Sequence, residues 1–134
     1  EAKTLRLKNY QQIIIGASIR YGNYRKDLFE FIEKNLDDLN EKENAFFSVN
    51  VVARKSEKNT AESNPYVNKF LKTTKWKPKN LDVFAGVVDY PVYNFFDKFM
   101  IKLIMWITSG PTDTKARFEF TDWDRVKKFA KDLI

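Results

Sequence analysis

Two short stretches gather the side chains best suited to meet a ligand. Ser18, Ile19, Arg20, Tyr21 and Gly22, followed by Tyr24, crowd a hydroxyl, a guanidinium and two phenol rings into one loop. Ser48, Val49 and Asn50 set a hydroxyl and a carboxamide on either side of a valine. Serine and asparagine beside backbone amides can hydrogen-bond the edge of a heterocycle, tyrosines can stack on its face, and an arginine can hold negative charge. Neither stretch carries a side chain that exchanges protons near neutral pH. The chain has no histidine and no cysteine, so disulfides, thiolate chemistry, iron–sulfur clusters and most zinc sites are excluded. Ser-His and Cys-His nucleophile pairs go with them. No metal site is expected, and redox chemistry in such a chain falls to a bound cofactor.

The elements that must position these residues follow from hydrophobic period. Residues 12–17 form a β-branched apolar run, read as a strand buried on both faces. From 25 to 40, Leu28, Phe31, Ile32, Leu36 and Leu39 recur at helical spacing. Strands are expected again at 45–52 and 81–88, with a helix at 64–73 whose first turn suits Pro65. A final helix begins at a T-x-x-D capping box, Thr121 to Asp124, and carries the stripe Trp123, Val126, Phe129, Ala130 and Leu133. Alternating strands and helices imply a parallel α/β sheet with right-handed crossovers. Ligands in such sheets bind outside the carboxyl ends of the strands, where both polar stretches fall.

At 134 residues the chain makes one domain. Twelve Phe, six Tyr and three Trp exceed what a small core needs, so the rings either fill an aromatic core or line a site. A net charge of +6, with lysines gathered at Lys69, Lys72, Lys75, Lys77 and Lys79, suits an anionic partner or a solvated face. No nucleic-acid motif accompanies it, and no nucleic-acid partner is expected. The apolar stretch near 95–107 is too short for a membrane-spanning helix, which takes ~20 apolar residues.

The segments IIIGASIRYGNY, FFSVNVVARK, NKFL, FAGVVDYP, FDKFMIKLIM, TDT and FTDW run in one order along almost the whole chain. Together they resemble the bacterial flavodoxin-like, quinone-dependent protoporphyrinogen IX dehydrogenases of haem synthesis. The resemblance implies a flavodoxin-like three-layer open parallel sheet over 1–134, with a long insert at 89–119 after the last strand. It implies FMN across the strand tips, flanked by Ser18, Ile19, Arg20, Tyr21 and Gly22 on one side and Ser48, Val49 and Asn50 on the other, with Asp113 nearby. The family opens with a strand and phosphate loop that have no counterpart here. These residues are accordingly expected to be part of a longer protein, to leave the first strand without one neighbour, and to hold FMN poorly as they stand.

The insert is apolar where a simple electron carrier has no need of it. Tyr90, Tyr93, Lys98, Phe99, Lys102 and Leu103 are its expected contacts with substrate or membrane. An interfacial helix, a cover for a greasy carboxylated porphyrinogen and a helix docked on the sheet all fit this pattern. The activity implied is oxidation of protoporphyrinogen IX with electrons passed to menaquinone or ubiquinone, by a cytoplasmic protein peripheral to the inner membrane. A flavodoxin-like electron carrier or a quinone reductase without a porphyrin substrate is the alternative, and its usual acidity argues against it here.

Overall fold

The computed structural model describes residues 5–134, so the first four positions of the expected domain lie outside the described residues. Three parallel strands make the main sheet: β1 (Gln12–Ser18), β2 (Glu43–Val49) and β3 (Asn80–Phe84), in the order β1-β2-β3. The register pairs Ile15 with Phe46 and Phe47 with Asp82. Between the strands run α1 (Lys26–Lys34), α2 (Leu36–Glu41) and α3 (Pro65–Thr73). A short antiparallel pair, β4 (Val87–Asp89) and β5 (Arg117–Glu119), brackets α4 (Phe95–Ile107), and α5 (Trp123–Asp132) closes the chain. The flavodoxin-like α/β reading holds. Among the described residues β1 pairs on one side only, with β2.

Alternation along the strands sorts side chains into two layers. Ile13, Ile15 and Phe46 turn toward α1 and α3 and join Tyr24, Ile32, Phe70 and Trp76 in the larger core. Phe46 stacks on Phe70 at 4.1 Å between centroids and 5° between planes. On the opposite face Phe47 and Phe84 meet Phe129 of α5 edge to face. Gly16 gives that ring its room: a Cβ at this position would sit 2.3 Å from the tip of the Phe47 ring, which would have to move. Helix α5 leaves a groove of about 660 Å³ toward β1, lined by Ile14, Phe47, Val49, Trp123 and Leu133 among others.

Several boundaries differ from the sequence expectation. The helix expected over 25–40 breaks at Asn35, whose side chain donates to the Phe31 carbonyl at 2.8 Å and ends α1. Residues 51–52, expected to end the second strand, instead open a 3-10 turn, Val51–Arg54. The strand expected over 81–88 is two strands, because Gly86 takes a φ of +78° and turns Val87 away to pair with β5. The last helix is capped by Asp122, not Thr121: its carboxylate accepts from the backbone N–H groups of Asp124 and Arg125.

One ion pair fastens α5 to the edge of the sheet. Arg125 grips Asp82 of β3 through Nε at 3.0 Å and through Nη2, and reaches the Asn59 carbonyl with Nη1. Both side chains are largely out of solvent, at 28% and 14% exposure, so the pair is less screened than a surface pair. Arg125→Ala is expected to lower the unfolding free energy by ~2 kcal/mol, the scale of hydrogen bonds to charged groups. Urea denaturation followed by circular dichroism measures this, and an unchanged midpoint contradicts it.

Candidate functional site at the strand tips

The loop after β1 is a two-residue hairpin. Arg20 and Asn23 exchange backbone hydrogen bonds at 3.0 and 3.1 Å, while Tyr21 and Gly22 take φ values of +49° and +76°. This is the type I′ geometry, which glycine meets at no cost. Tyr21 is strained by ~1–2 kcal/mol, and its surroundings hold it. The Asn23 amide donates to the Tyr21 carbonyl at 3.2 Å, Lys69 donates to Asn23 at 2.8 Å, and the Arg20 guanidinium lies 5.3 Å from the Tyr21 ring centroid. Ser18 ends β1 exposed, Ile19 is half-buried against the core, and nothing lies within 4 Å of a Cβ built on Gly22.

Ser48 and Asn50 lie beneath this turn and face inward. Both are buried. The Tyr24 hydroxyl donates to Ser48 Oγ at 2.7 Å, and the Asn50 amide donates to the same oxygen at 3.0 Å. Asn50 and Asn64 exchange side-chain bonds at 3.3 and 3.1 Å. Asn64 also caps α3, accepting from the N–H groups of Tyr66 and Val67. The side chains expected to face a heterocycle thus satisfy one another and fix the loops from below. Val49 is half-buried and packs at the end of β2, 2.7 Å from where a Gly86 Cβ would lie. Burial pushes the Tyr24 hydroxyl above its usual pKa, with the bond to Ser48 working the other way.

The segment after β3 divides into inside and outside. Tyr90 is fully buried with Val88 and Met105, and its hydroxyl donates to the Pro111 carbonyl at 2.9 Å. It lies inside the protein and offers no surface to substrate or lipid in this form. Burial, then the neighbouring Tyr93, push the Tyr90 hydroxyl upward in pKa, with Arg54 opposing. Tyr93 is half-buried against the same cluster and accepts from the Asp89 N–H. Asp113 is exposed in the turn before β5, accepting from the Lys115 N–H at 3.0 Å.

Helix α4 presents a cluster of exposed apolar side chains. Met105 is its one buried side chain. Phe95, Phe96, Phe99, Trp106 and Ile107 are 89%, 62%, 57%, 72% and 68% exposed. Leu103 adds to this face, with Lys102 exposed and Lys98 half-buried beside it. Its start is a reciprocal cap: Asn94 accepts from the Asp97 N–H at 2.8 Å and donates to the Asp97 carboxylate at 2.9 Å. Its end is capped by Arg54, which donates to the Thr108 carbonyl at 2.8 Å and to Thr108 Oγ1 at 3.0 Å. Asn64, Arg54 and Asp97 escaped the sequence reading. Two left a signal, an Asn ahead of Pro65 and the N-x-x-D spacing of Asn94 and Asp97. Arg54 left none, because its partner is a backbone far along the chain. Among the described residues no helix is long and apolar enough to cross a membrane.

Comparison with known proteins agrees with this architecture. The flavodoxin domain family matches residues 1–115. A relative from Escherichia coli K12, named protoporphyrinogen IX dehydrogenase (quinone), is 47% identical over 126 residues, covering 94% of this chain and 70% of its own. A relative of the same name from Leishmania major is 44% identical over 127 residues, covering 95% of this chain and 55% of its own. No solved structure is a significant match.

The buried network sets two expectations. Asn64→Ala removes a helix cap and leaves the Asn50 side-chain oxygen without its donor, and is expected to cost ~2–4 kcal/mol, read by urea denaturation. The raised Tyr24 pKa means that the unfolded chain releases its phenol proton first as pH rises. The associated stability is complete below a pH of about 10, the usual tyrosine value, and is lost above it. Tyr24→Phe should therefore flatten the alkaline fall in stability relative to wild type. Equal slopes in the two proteins would contradict the assignment.

Proposed function

Since the chain belongs to the flavodoxin-domain family, alongside the protoporphyrinogen IX dehydrogenases that match it, we propose that it oxidises protoporphyrinogen IX and passes the electrons to a membrane quinone. The cofactor of this reading is FMN, which when bound supplies the redox chemistry. The strand tips fit the ring end of such a group. Ser18 is exposed at the tip of β1, the Tyr21 ring stands 41% exposed beside it, and Gly22 leaves open space on the turn. Gly86 turns the chain at the end of β3 with no side chain, where a Cβ would collide with Val49. Ser18 to Gly22 would flank the ring on one side. Val49 would flank it on the other, with Ser48 and Asn50 acting from beneath by holding the backbone in place.

The observation that carries the substrate side of this reading is the exposed face of α4. Porphyrinogen and quinone are both apolar bodies, and a quinone resides in the bilayer. A protein that serves both needs an apolar surface near its strand tips. Phe96 meets Tyr21 of the tip turn at 6.2 Å between ring centroids, so the apolar face begins beside the flavin flank. Lys102 and Lys98 lie alongside this face, suited to anionic headgroups or to the substrate's propionates. We read the protein as cytoplasmic and peripheral on the inner face of the inner membrane. A carrier without substrate would gain nothing from leaving these rings in water, where each forgoes ~1.5–3 kcal/mol of burial.

Phe99→Asp combined with Leu103→Asp tests this. Both side chains are substantially exposed, at 57% and 37%, so the variant, made in a longer form of the protein that holds FMN, should fold and retain it. Lost burial of two such side chains in lipid is worth ~3–6 kcal/mol, and membrane association should fall by roughly two orders of magnitude or more. Quinone-coupled turnover should fall with it. Sedimentation with vesicles, thermal melting, flavin absorbance and turnover with a quinone are measured together. A folded, flavin-loaded variant that remains fully active overturns the role given to α4.

A further inference from the structure

We infer that Arg20 is a positioning residue that latches the strand-tip turn to the first turn of α4. Seating of the α4 apolar face and occupancy of the space beside the turn are thereby coupled. This rests on the reading of α4 as the surface that meets lipid or an apolar substrate.

The geometry comes from three contacts. Arg20 Nη2 donates to both carboxylate oxygens of Asp97, at 3.3 and 3.2 Å, across 77 residues of sequence. Asp97 is the third residue of α4, and its carboxylate simultaneously accepts from the N-cap Asn94. The ion pair therefore bears on the backbone that starts the helix. Beside it, the Tyr21 ring meets Phe96 edge to face. Phe96 belongs to the exposed apolar face, while Tyr21 sits at +49° in a turn closed by Arg20 and Asn23. One pair of neighbours in sequence, Arg20 and Tyr21, thus holds another, Asp97 and Phe96.

The rest of α4 makes this latch consequential. Between its ends the helix buries Met105 alone, and its far end is fixed by Arg54, which also bonds the Val51 carbonyl in the loop after β2. The helix is thus held at each end by a strand-tip loop, with Met105 and the half-buried Ile101 packing in between against Val88 and Tyr90. A helix held in this way takes its pose from its end contacts. By linkage, anything that orders the turn also orders the helix start, and anything that seats the helix favours the observed turn.

The test compares Arg20→Gln with Arg25→Gln. Arg25 lies on the same segment, is 78% exposed and pairs locally with Asp27, so its loss removes the same charge without touching α4. Hydrogen exchange of the amides in the first turns of α4 is expected to rise about tenfold in Arg20→Gln, as local opening becomes easier. Asp97→Asn should do the same, the double variant should add little, and Arg25→Gln should leave the rate at the wild-type value. Equal or absent effects in the two arginine variants overturn the latch. Vesicles of phosphatidylglycerol and phosphatidylcholine supply the second readout. Arg20→Gln should weaken their binding several-fold more than Arg25→Gln. If wild type binds no vesicles, the lipid reading of α4 fails, while the exchange rates still decide the latch.

Discussion

Four buried polar side chains, Tyr24, Ser48, Asn50 and Asn64, close their hydrogen bonds on one another beneath the strand tips. Each belongs to a different part of the tip region: the loop after β1, the end of β2, the turn that follows it, and the cap of α3. A buried polar group left unpaired costs about as much as several good contacts contribute. The four loops therefore have a single arrangement in which all are satisfied. The Tyr21 turn, the Gly86 bend and the anchoring of α4 stand on that arrangement.

What is placed above it contrasts with what lies below. The core beneath the sheet is close-packed and aromatic, with Phe46, Phe70 and Trp76 in mutual contact. Helix α4 instead spends its rings on solvent. The excess of aromatics divides between two places: Phe46, Phe70 and Trp76 are core, while Phe95, Phe96, Phe99 and Trp106 are on the surface. Surfaces of this kind are a common mark of partner, ligand or membrane contact, and this one begins beside the strand-tip turn, where Phe96 meets Tyr21.

Period and motif made the architecture legible, because parallel strands leave apolar runs, although β1 is not buried on both faces as expected: Ile14 is 49% exposed in the groove beside α5. The 81–88 run was less legible: VFAGVV reads as one strand, and only the positive φ at Gly86 divides it. Ser48 and Asn50 could be placed at a strand tip from sequence, yet the direction of their side chains could not. That depends on Asn64 and Tyr24, which approach from other elements. Tyr90, expected as a substrate or membrane contact, is buried with its hydroxyl donating to the Pro111 carbonyl. The loops are decided by long-range partners, and those are what a linear reading cannot see.

The Arg20–Asp97 contact has a further consequence through the ionic medium. With Arg20 69% exposed, it is open to screening, whose range is ~8 Å at physiological ionic strength. The apolar face that it restrains responds in the opposite sense, since strongly excluded salts such as sulfate favour apolar association. Raising such a salt therefore loosens the restraint on α4 while making its rings more adhesive. Ionic strength thus acts on the Arg20–Asp97 contact and on the exposed rings of α4 in opposite directions.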